Sequence, residues 1–371
     1  MKYYILAGEA SGDLHGSNLI LRLREADPHA QIRCWGGDKM ERAGAQLLRH
    51  YRDLAFMGFI EVVRNLPAIL RNLRFAKKDI LSFSPDVLVL IDYPGFNLRI
   101  ASWAKKQGFH VAYYISPQVW AWKESRVKTI RRSVDRMLVI LPFEKAFYAR
   151  HKMEVDYVGH PLVEVVEAFR KQHTGVGKEK IIAVLPGSRR QEIAANLQLM
   201  LSVASRFPEH RFVVARAPSV PDSFYKELLD RYPGVSAVSD ETYLLLMKAE
   251  AALVTSGTAT LETALFGVPQ VVCYKGSPVS YWIAKKLLTI KYICLVNLIM
   301  DRPVVPELIQ KDFDAKNMER HLSSLLYDKD RRSQIVQHYA ALHELLAAGG
   351  DASAHAARII SSLAASKKTT D

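Results

Sequence analysis

Two stretches of this chain open in the same way, and that repetition limits the fold more than any other feature. Lys2 to Ala7 is a short, largely apolar run cut off by the small-residue loop Gly8-Glu9-Ala10-Ser11-Gly12-Asp13, after which Leu14 to Arg24 has helical spacing. Near the middle, Ile181-Ile182-Ala183-Val184-Leu185 stops at Pro186-Gly187 and restarts as the polar segment Ser188-Arg189-Arg190-Gln191-Glu192. Both read as strand, tight loop and helix. The repeat predicts two doubly wound α/β domains with parallel sheets, facing each other across a cleft. A chain of 371 residues, 49% hydrophobic and 24% charged, is long enough for two such cores. Loss of periodicity and gain of glycine over 169–180 marks a linker between domains at 1–168 and 181–348, followed by a C-terminal helix and tail at 349–371.

The net charge of +13 calls for an acidic partner: nucleic acid, an anionic membrane surface or a phosphorylated substrate. Three scattered cysteines, Cys34, Cys273 and Cys294, form neither a disulfide framework nor a zinc motif, and no metal site is expected. Nothing at the N-terminus reads as an export signal, so a cytoplasmic location is expected. The most apolar long window, Ser280 to Ile299, carries Lys285, Lys286 and Lys291, too many charges for a bilayer-spanning helix.

Ligand chemistry concentrates where strands give way to helices. The backbone N–H groups after Gly187, with the Ser188 hydroxyl and the Arg189 fork beside them, suit a phosphate. Ser256-Gly257-Thr258-Ala259-Thr260-Leu261-Glu262 follows another apolar run: its hydroxyls and N–H groups could hold a diphosphate, and Glu262 could accept from ribose hydroxyls. The plain alternative is that Thr258 caps the helix and Glu262 is a first-turn acid favoured by the dipole.

In the first half, Val87-Leu88-Val89-Leu90-Ile91 is an unbroken apolar strand ending in Asp92-Tyr93-Pro94. A carboxylate at the carboxyl end of a buried strand points toward a ligand and could act as a general base, or equally could serve a turn or cap. Upstream, Val62 to Lys78 contains five bases and no acid, threaded among Leu66, Ile69, Leu70 and Leu73, with Pro67 marking a helix start. That pattern fits a helix lying on anionic lipid, or a core-facing helix with a solvated basic back. Trp120 and Trp122 beside a basic helix could stack bases, but the apolar face of Val127, Ile130 and Val134 favours plain packing.

No P-loop, H-E-x-x-H or G-x-G-x-x-G motif is present, which weakens an ATP, zinc or nicotinamide reading; no cofactor is expected. Taken together, Ala7 to Asp13, Met57 to Val62, Ile91 to Pro94, Ser116 to Trp122, Leu141 to Tyr148, Leu185 to Arg189 and Ser256 to Glu262 resemble the lipid-A-disaccharide synthases, bacterial inverting glycosyltransferases of the GT-B fold. The sequence departs from that pattern at Gly95-Phe96-Asn97, where relatives can carry a second aspartate, which favours Asp92 as the carboxylate that matters.

The resemblance implies transfer of 2,3-diacylglucosamine from UDP-2,3-diacylglucosamine to the 6-hydroxyl of 2,3-diacylglucosamine 1-phosphate, giving the β(1→6) disaccharide phosphate and UDP. It implies catalytic roles for Asp92 and Glu9, and UDP contacts from Gly187, Ser188, Arg189, Ser256, Gly257, Thr258, Thr260, Glu262 and Asn297. Lipid substrates make Ile60, Val62, Val63, Leu66, Ile69 and Leu70 a membrane-contacting face on the inner side of the inner membrane, and make nucleic acid an unneeded partner. The resemblance leaves room for a homodimer, with the last helix docking on either domain or on another subunit. A UDP-N-acetylglucosamine 2-epimerase or a non-enzymatic basic surface protein are the competing readings.

Overall fold

The computed structural model describes residues 1–53, 66–218, 220–276 and 290–366. Contacts divide the chain into two compact units, Met1–Pro161 with Leu346–Asp371, and Leu162–Leu345.

In the first unit the order is β1 (Lys2–Ala7), α1 (Ala10–Ala26), β2 (Gln31–Gly36), α2 (Asp38–Arg42), β3 (Gln46–His50), α3 (Leu66–Phe83), β4 (Val87–Ile91), α4 (Pro94–Lys106), β5 (His110–Tyr114), α5 (Val127–Ser133), β6 (Arg136–Val139), α6 (Glu144–Arg150) and β7 (Asp156–Tyr157). The strands form one sheet in the order β3-β2-β1-β4-β5-β6-β7, and every pairing is parallel. Helices cover both faces, so β4 is buried along its whole length, which is why its sequence shows no alternation. Strand order reverses between β1 and β4, and the loops leaving those two strands begin with Gly8-Glu9 and Asp92-Tyr93.

The second unit continues from α7 (Pro161–Gln172) through β8 (Ile181–Leu185), α8 (Arg190–Leu201), β9 (Arg211–Arg216), α9 (Asp222–Leu229), β10 (Ser236–Ser239), α10 (Thr242–Lys248), β11 (Ala251–Thr255), α11 (Thr258–Leu265), β12 (Gln270–Tyr274), α12 (Leu295–Met300), β13 (Glu307–Ile309) and α13 (Ala315–Tyr327) to α14 (Lys329–Ala347). Its parallel sheet runs β10-β9-β8-β11-β12-β13 and reverses between β8 and β11. The segment expected as a linker, 169–180, is helical as far as Gln172. Phe169 packs edge-on against Tyr243 and Phe266, at 5.4 and 6.1 Å, and these aromatic contacts tie the segment to the second unit, so the division falls earlier, at Pro161/Leu162.

The chain then returns to the first unit. Residues 349–371, read from sequence as a separate piece, carry α15 (Ala352–Ser366), which packs on α1 and beneath β4, β5 and β6, with an Arg22–Asp351 ion pair at 2.7 Å. The close approach is set by Gly349: a Cβ there would lie 2.1 Å from the Gly159 backbone nitrogen, a contact that only glycine avoids. No helix among the described residues is long and apolar enough to cross a membrane.

Candidate active site

At the reversal point of the first sheet, side chains and backbone both concentrate on Asp92. Asp92 and Tyr93 leave β4 with φ +43° and +48°, consecutive left-handed residues of a kind that cost about 1–3 kcal/mol each and persist only when overdetermined. Three neighbours hold them. The Asp92 carbonyl accepts from Tyr113 Oη at 2.5 Å and from Asn97 Nδ2 at 2.8 Å, while its own N–H donates to Tyr114 O at 3.2 Å. Asn97, fully buried at the start of α4, also donates to the Ile91 carbonyl at 3.1 Å and more weakly to Leu6 at 3.4 Å, clasping the ends of β4 and β1 together. The Tyr93 ring lies over Gly8 so closely that a Cβ there would be 2.4 Å from it, which explains glycine at that position.

Glu9 is the N-cap of α1 and makes no side-chain cap bond, and its carboxylate lies within electrostatic reach of Asp92. Burial, and next the Glu9 charge, push the Asp92 carboxyl up to about 7, against a smaller opposing pull from the Tyr93 N–H. Such a carboxyl is poised between acid and base near neutral pH. Asp13, the last residue of the same loop motif, holds the fold together locally. Its oxygens accept from the N–H groups of Gly37 at 2.8 Å, Met40 at 3.0 Å and Lys39 at 3.2 Å, capping α2.

The second unit carries a pocket of about 350 Å³ at its own reversal point, lined by Gly187, Ser188 and Glu192 after β8, by Ser256, Gly257, Thr258 and Glu262 after β11, and by Arg216 at the end of β9. Helix α11 opens at Gly257 without a side-chain cap, so its first N–H groups face the pocket's anion-favouring end. Glu262 accepts from Tyr243 Oη at 2.9 Å; burial raises its pKa and the tyrosine bond opposes that rise. Asn196, buried on α8, bonds Thr255 Oγ1 at 3.5 Å and accepts from the Lys275 N–H at 3.1 Å, tying β11 to β12 as Asn97 ties β1 to β4. A larger hollow of about 910 Å³ lies at the amino ends of β6 and β7, among Asp135, Arg136, Lys145 and Asp156. Parallel sheets bind ligands at the other end of their strands, so the smaller pocket is the candidate.

Not every expected residue is in it. Thr260 is buried and returns its hydroxyl to the Gly257 carbonyl at 2.8 Å, a brace within the first turn. Asn297 is buried with both ends of its amide used, accepting from Val305 N at 2.9 Å and donating to Val305 O and Glu307 at 2.9 and 3.0 Å; it shapes the approach to β13 and lies outside the pocket lining. Arg189 is exposed at the start of α8 and pairs with Glu192 at 2.8 Å. Ser256 Oγ donates to the Ile293 carbonyl at 2.9 Å. Arg216 was not foreseen: it pairs with Asp222 at 2.9 Å and its Nε is buried with no hydrogen-bond partner among the described residues. Its position as the last residue of β9, the neighbour of β8, is the available signal.

On the expected membrane face, Ile60, Val62 and Val63 lie outside the described residues. Pro67 sits in the first turn of α3, and Leu66 and Leu70 are 45% and 43% exposed. Ile69 is half-buried and packs against the core that holds Leu73, Ala76 and Ile80, because it lies on their side of the helix. The two tryptophans also part company. Trp120 packs edge-on against Phe143 at 5.0 Å and donates to the buried Glu144 at 3.3 Å, whereas Trp122 is 39% exposed.

Comparison with known proteins follows the same division. Solved structures of low sequence identity share the fold: a glycotransferase of kitacinnamycin (16% identity, TM-score 0.66, covering 98% of each chain) and the UDP-GlcNAc 2-epimerase of Neisseria meningitidis bound to UDP-GlcNAc (12%, TM-score 0.62, covering 99% of this chain and 100% of that one). Sequence relatives are more specific. Proteins named lipid-A-disaccharide synthase from Syntrophus aciditrophicus and Acidobacterium capsulatum are each 39% identical, over 360 and 370 residues, covering 94% of this chain in both cases and 94% and 92% of theirs. The Lipid-A-disaccharide synthetase family model matches residues 3–360, and the chain, two doubly wound parallel-sheet units of the GT-B class, belongs to that family.

Proposed function

We propose that the second unit holds the UDP of a sugar nucleotide in the pocket between the β8 and β11 loops, and that Asp92 of the first unit is the general base of the transfer. The chain is a glycosyltransferase of lipid A disaccharide assembly: 2,3-diacylglucosamine moves from UDP to the 6-hydroxyl of 2,3-diacylglucosamine 1-phosphate. The acceptor oxygen forms its bond to C1 as the C1–phosphate oxygen bond breaks, inverting C1; the electron pair leaves with UDP and the proton passes to Asp92. Charge developing on the departing diphosphate meets the Ser188 hydroxyl, the N–H groups at the start of α11 and the Arg189 guanidinium, while Glu262 accepts from the ribose. Glu9 keeps Asp92 basic enough to take a proton near neutral pH.

The observation that carries this reading is the half-buried Asp92 on strained backbone at the carboxyl end of β4, beside Glu9, where desolvation together with the Glu9 charge pushes its carboxyl up to about 7. Its test is incubation with UDP-diacylglucosamine and the monosaccharide phosphate in detergent; disaccharide and UDP should form together. An epimerised sugar nucleotide with no disaccharide would replace transfer with epimerisation.

The amphiphilic substrates place the protein at an anionic membrane surface, on the cytoplasmic face. Leu66 and Leu70 are exposed one turn apart, with Arg74 continuing the same line of α3. Changing both leucines to glutamine should lower partitioning onto phosphatidylglycerol vesicles, read by flotation, about 100-fold or more, since each buried leucine is worth about 1.5–3 kcal/mol. Undiminished flotation would move the contact elsewhere.

A further inference from the structure

We propose that Trp122, Lys123 and Arg126 form a phosphate subsite that recognises the phosphomonoester of the sugar acceptor, an inference that rests on the glycosyl-transfer reading above. Strand β5 ends at Tyr114, whose register partner on β4 is Ile91, so the chain that follows leaves the sheet beside Asp92. That chain is anchored before it reaches the surface. Ser116 Oγ and Tyr148 Oη lie 2.7 Å apart, and Trp120 is fixed by Glu144 and Phe143. Lys123 is then held at φ +56°, where the chain turns into the 3₁₀ segment Glu124–Arg126. A rigid approach thus ends by presenting one exposed indole with two cations on it: Lys123 Nζ is 4.6 Å and Arg126 Cζ 5.4 Å from the Trp122 ring centre.

Two like charges within about 6 Å of one ring centre repel each other, and cation–π attraction at an exposed indole offsets this only in part. The neighbouring carboxylate does not relieve them, because Glu124 is turned to His151 at 2.7 Å. Among the described residues neither Lys123 nor Arg126 has an ion pair. A phosphomonoester would supply the missing counter-charge and accept from both side chains, with the indole face left for the sugar ring. Position links the group to the reaction. The Arg126 charge reaches the Tyr113 hydroxyl, the same hydroxyl that bonds the Asp92 carbonyl. The acceptor's phosphate would therefore be gripped within reach of the base that activates its hydroxyl.

The test compares the acceptor 1-phosphate with its dephosphorylated analogue, in detergent, using the full chain. Formation of disaccharide and UDP by the unmodified protein is measured first; if neither forms, the transfer reading fails and the subsite falls with it, a result distinct from those below. The double variant Lys123→Ala/Arg126→Ala should raise KM for the phosphorylated acceptor about 10- to 100-fold, the loss expected for charge-assisted hydrogen bonds. UDP affinity by calorimetry and kcat/KM for the dephosphorylated acceptor should stay within about two-fold. Lys123→Glu, a reversal at an exposed position, should act in the same direction without disturbing the core. Equal losses on both acceptors, or none on either, would overturn the proposal. So would an unchanged preference for the phosphorylated acceptor combined with lost binding to phosphatidylglycerol vesicles, which would assign these cations to bilayer headgroups.

Discussion

The two sheets reverse their strand order in the same way and build opposite chemistry at the reversal. In the first unit the loops after β1 and β4 bring two half-buried carboxylates, Glu9 and Asp92, within electrostatic reach of each other, Asp92 on left-handed backbone. In the second, the loops after β8 and β11 offer a serine, glycines and an uncapped helix start, with Arg189 and Arg216 nearby. Topology dictates where a ligand can sit, and a few loop residues dictate whether that place gives up a proton site or an anion site. A buried asparagine braces each, Asn97 in one unit and Asn196 in the other.

The sharpest way to break this division of labour is to neutralise the acid side alone. Asp92→Asn should lower kcat by about 10²- to 10⁴-fold while leaving UDP affinity unchanged, measured by turnover and calorimetry on the same preparation. The same variant should be more stable than the parent at pH 8. A carboxyl whose folded pKa is raised to about 7 stabilises the fold only while protonated, and that contribution is lost as pH rises from the unfolded value toward 7. Asparagine removes the loss, up to about 4 kcal/mol at 1.36 kcal/mol per pKa unit. Near-normal turnover, or a less stable variant at pH 8, would remove Asp92 from the role of a base with a raised pKa.

The anion side gives the complementary result. Arg189→Ala should weaken UDP binding about 10- to 100-fold by calorimetry, as for a charge-assisted contact, with no change in the pH at which turnover is half-maximal. Unchanged UDP affinity would leave Arg189 as the exposed partner of Glu192 that the present geometry shows.

How much of this was legible in the sequence follows from how far apart the partners lie. Strands β4, β8 and β11 announce themselves as unbroken apolar runs, because burial on both faces leaves no position for a polar residue. Asp92 and the Gly187–Ser188 and Ser256–Thr258 loops follow directly, as residues at strand ends. Asp13 was visible within its motif, but its purpose was not, since the N–H groups it caps belong to residues 24 to 27 positions later. Asn97 read only as a departure from the family pattern; its contact with Leu6 spans 91 residues. Thr260 and Asn297 look from sequence like ligand-binding residues, and in the fold their polar groups are taken up by neighbouring backbone and, for Asn297, also by the Glu307 carboxylate. Trp120 and Trp122 are two residues apart in the chain, and only packing separates an anchor from an exposed platform.

The asparagine braces allow a paired comparison of intermediate size. Asn97→Ala leaves strand-end carbonyls without their donor and should destabilise the first unit by about 1–3 kcal/mol. Its kinetic mark should be on kcat, because the carbonyl it supports belongs to Asp92. Asn196→Ala should destabilise the second unit by a similar amount and mark UDP affinity instead. Urea unfolding combined with turnover and calorimetry separates the two; identical kinetic marks would mean that the braces serve folding alone.

The smallest expected effect probes the carboxylate pair itself. Burial is the larger cause of the raised Asp92 pKa and the Glu9 charge the second, so Glu9→Gln removes only part of the shift. With a like charge gone, the Asp92 carboxylate becomes easier to form and its pKa falls. Turnover requires that carboxylate as base, so the acidic limb of the pH–kcat/KM profile should move to lower pH, by less than about one unit, with the plateau above pH 8 lowered only if Glu9 also touches substrate. Glu9→Asp keeps the charge and should leave the limb in place. A limb that moved upward would mean that Glu9 supports the ionised form of Asp92, and the acid side of the molecule would then be a proton-sharing pair rather than a base held up by its neighbour.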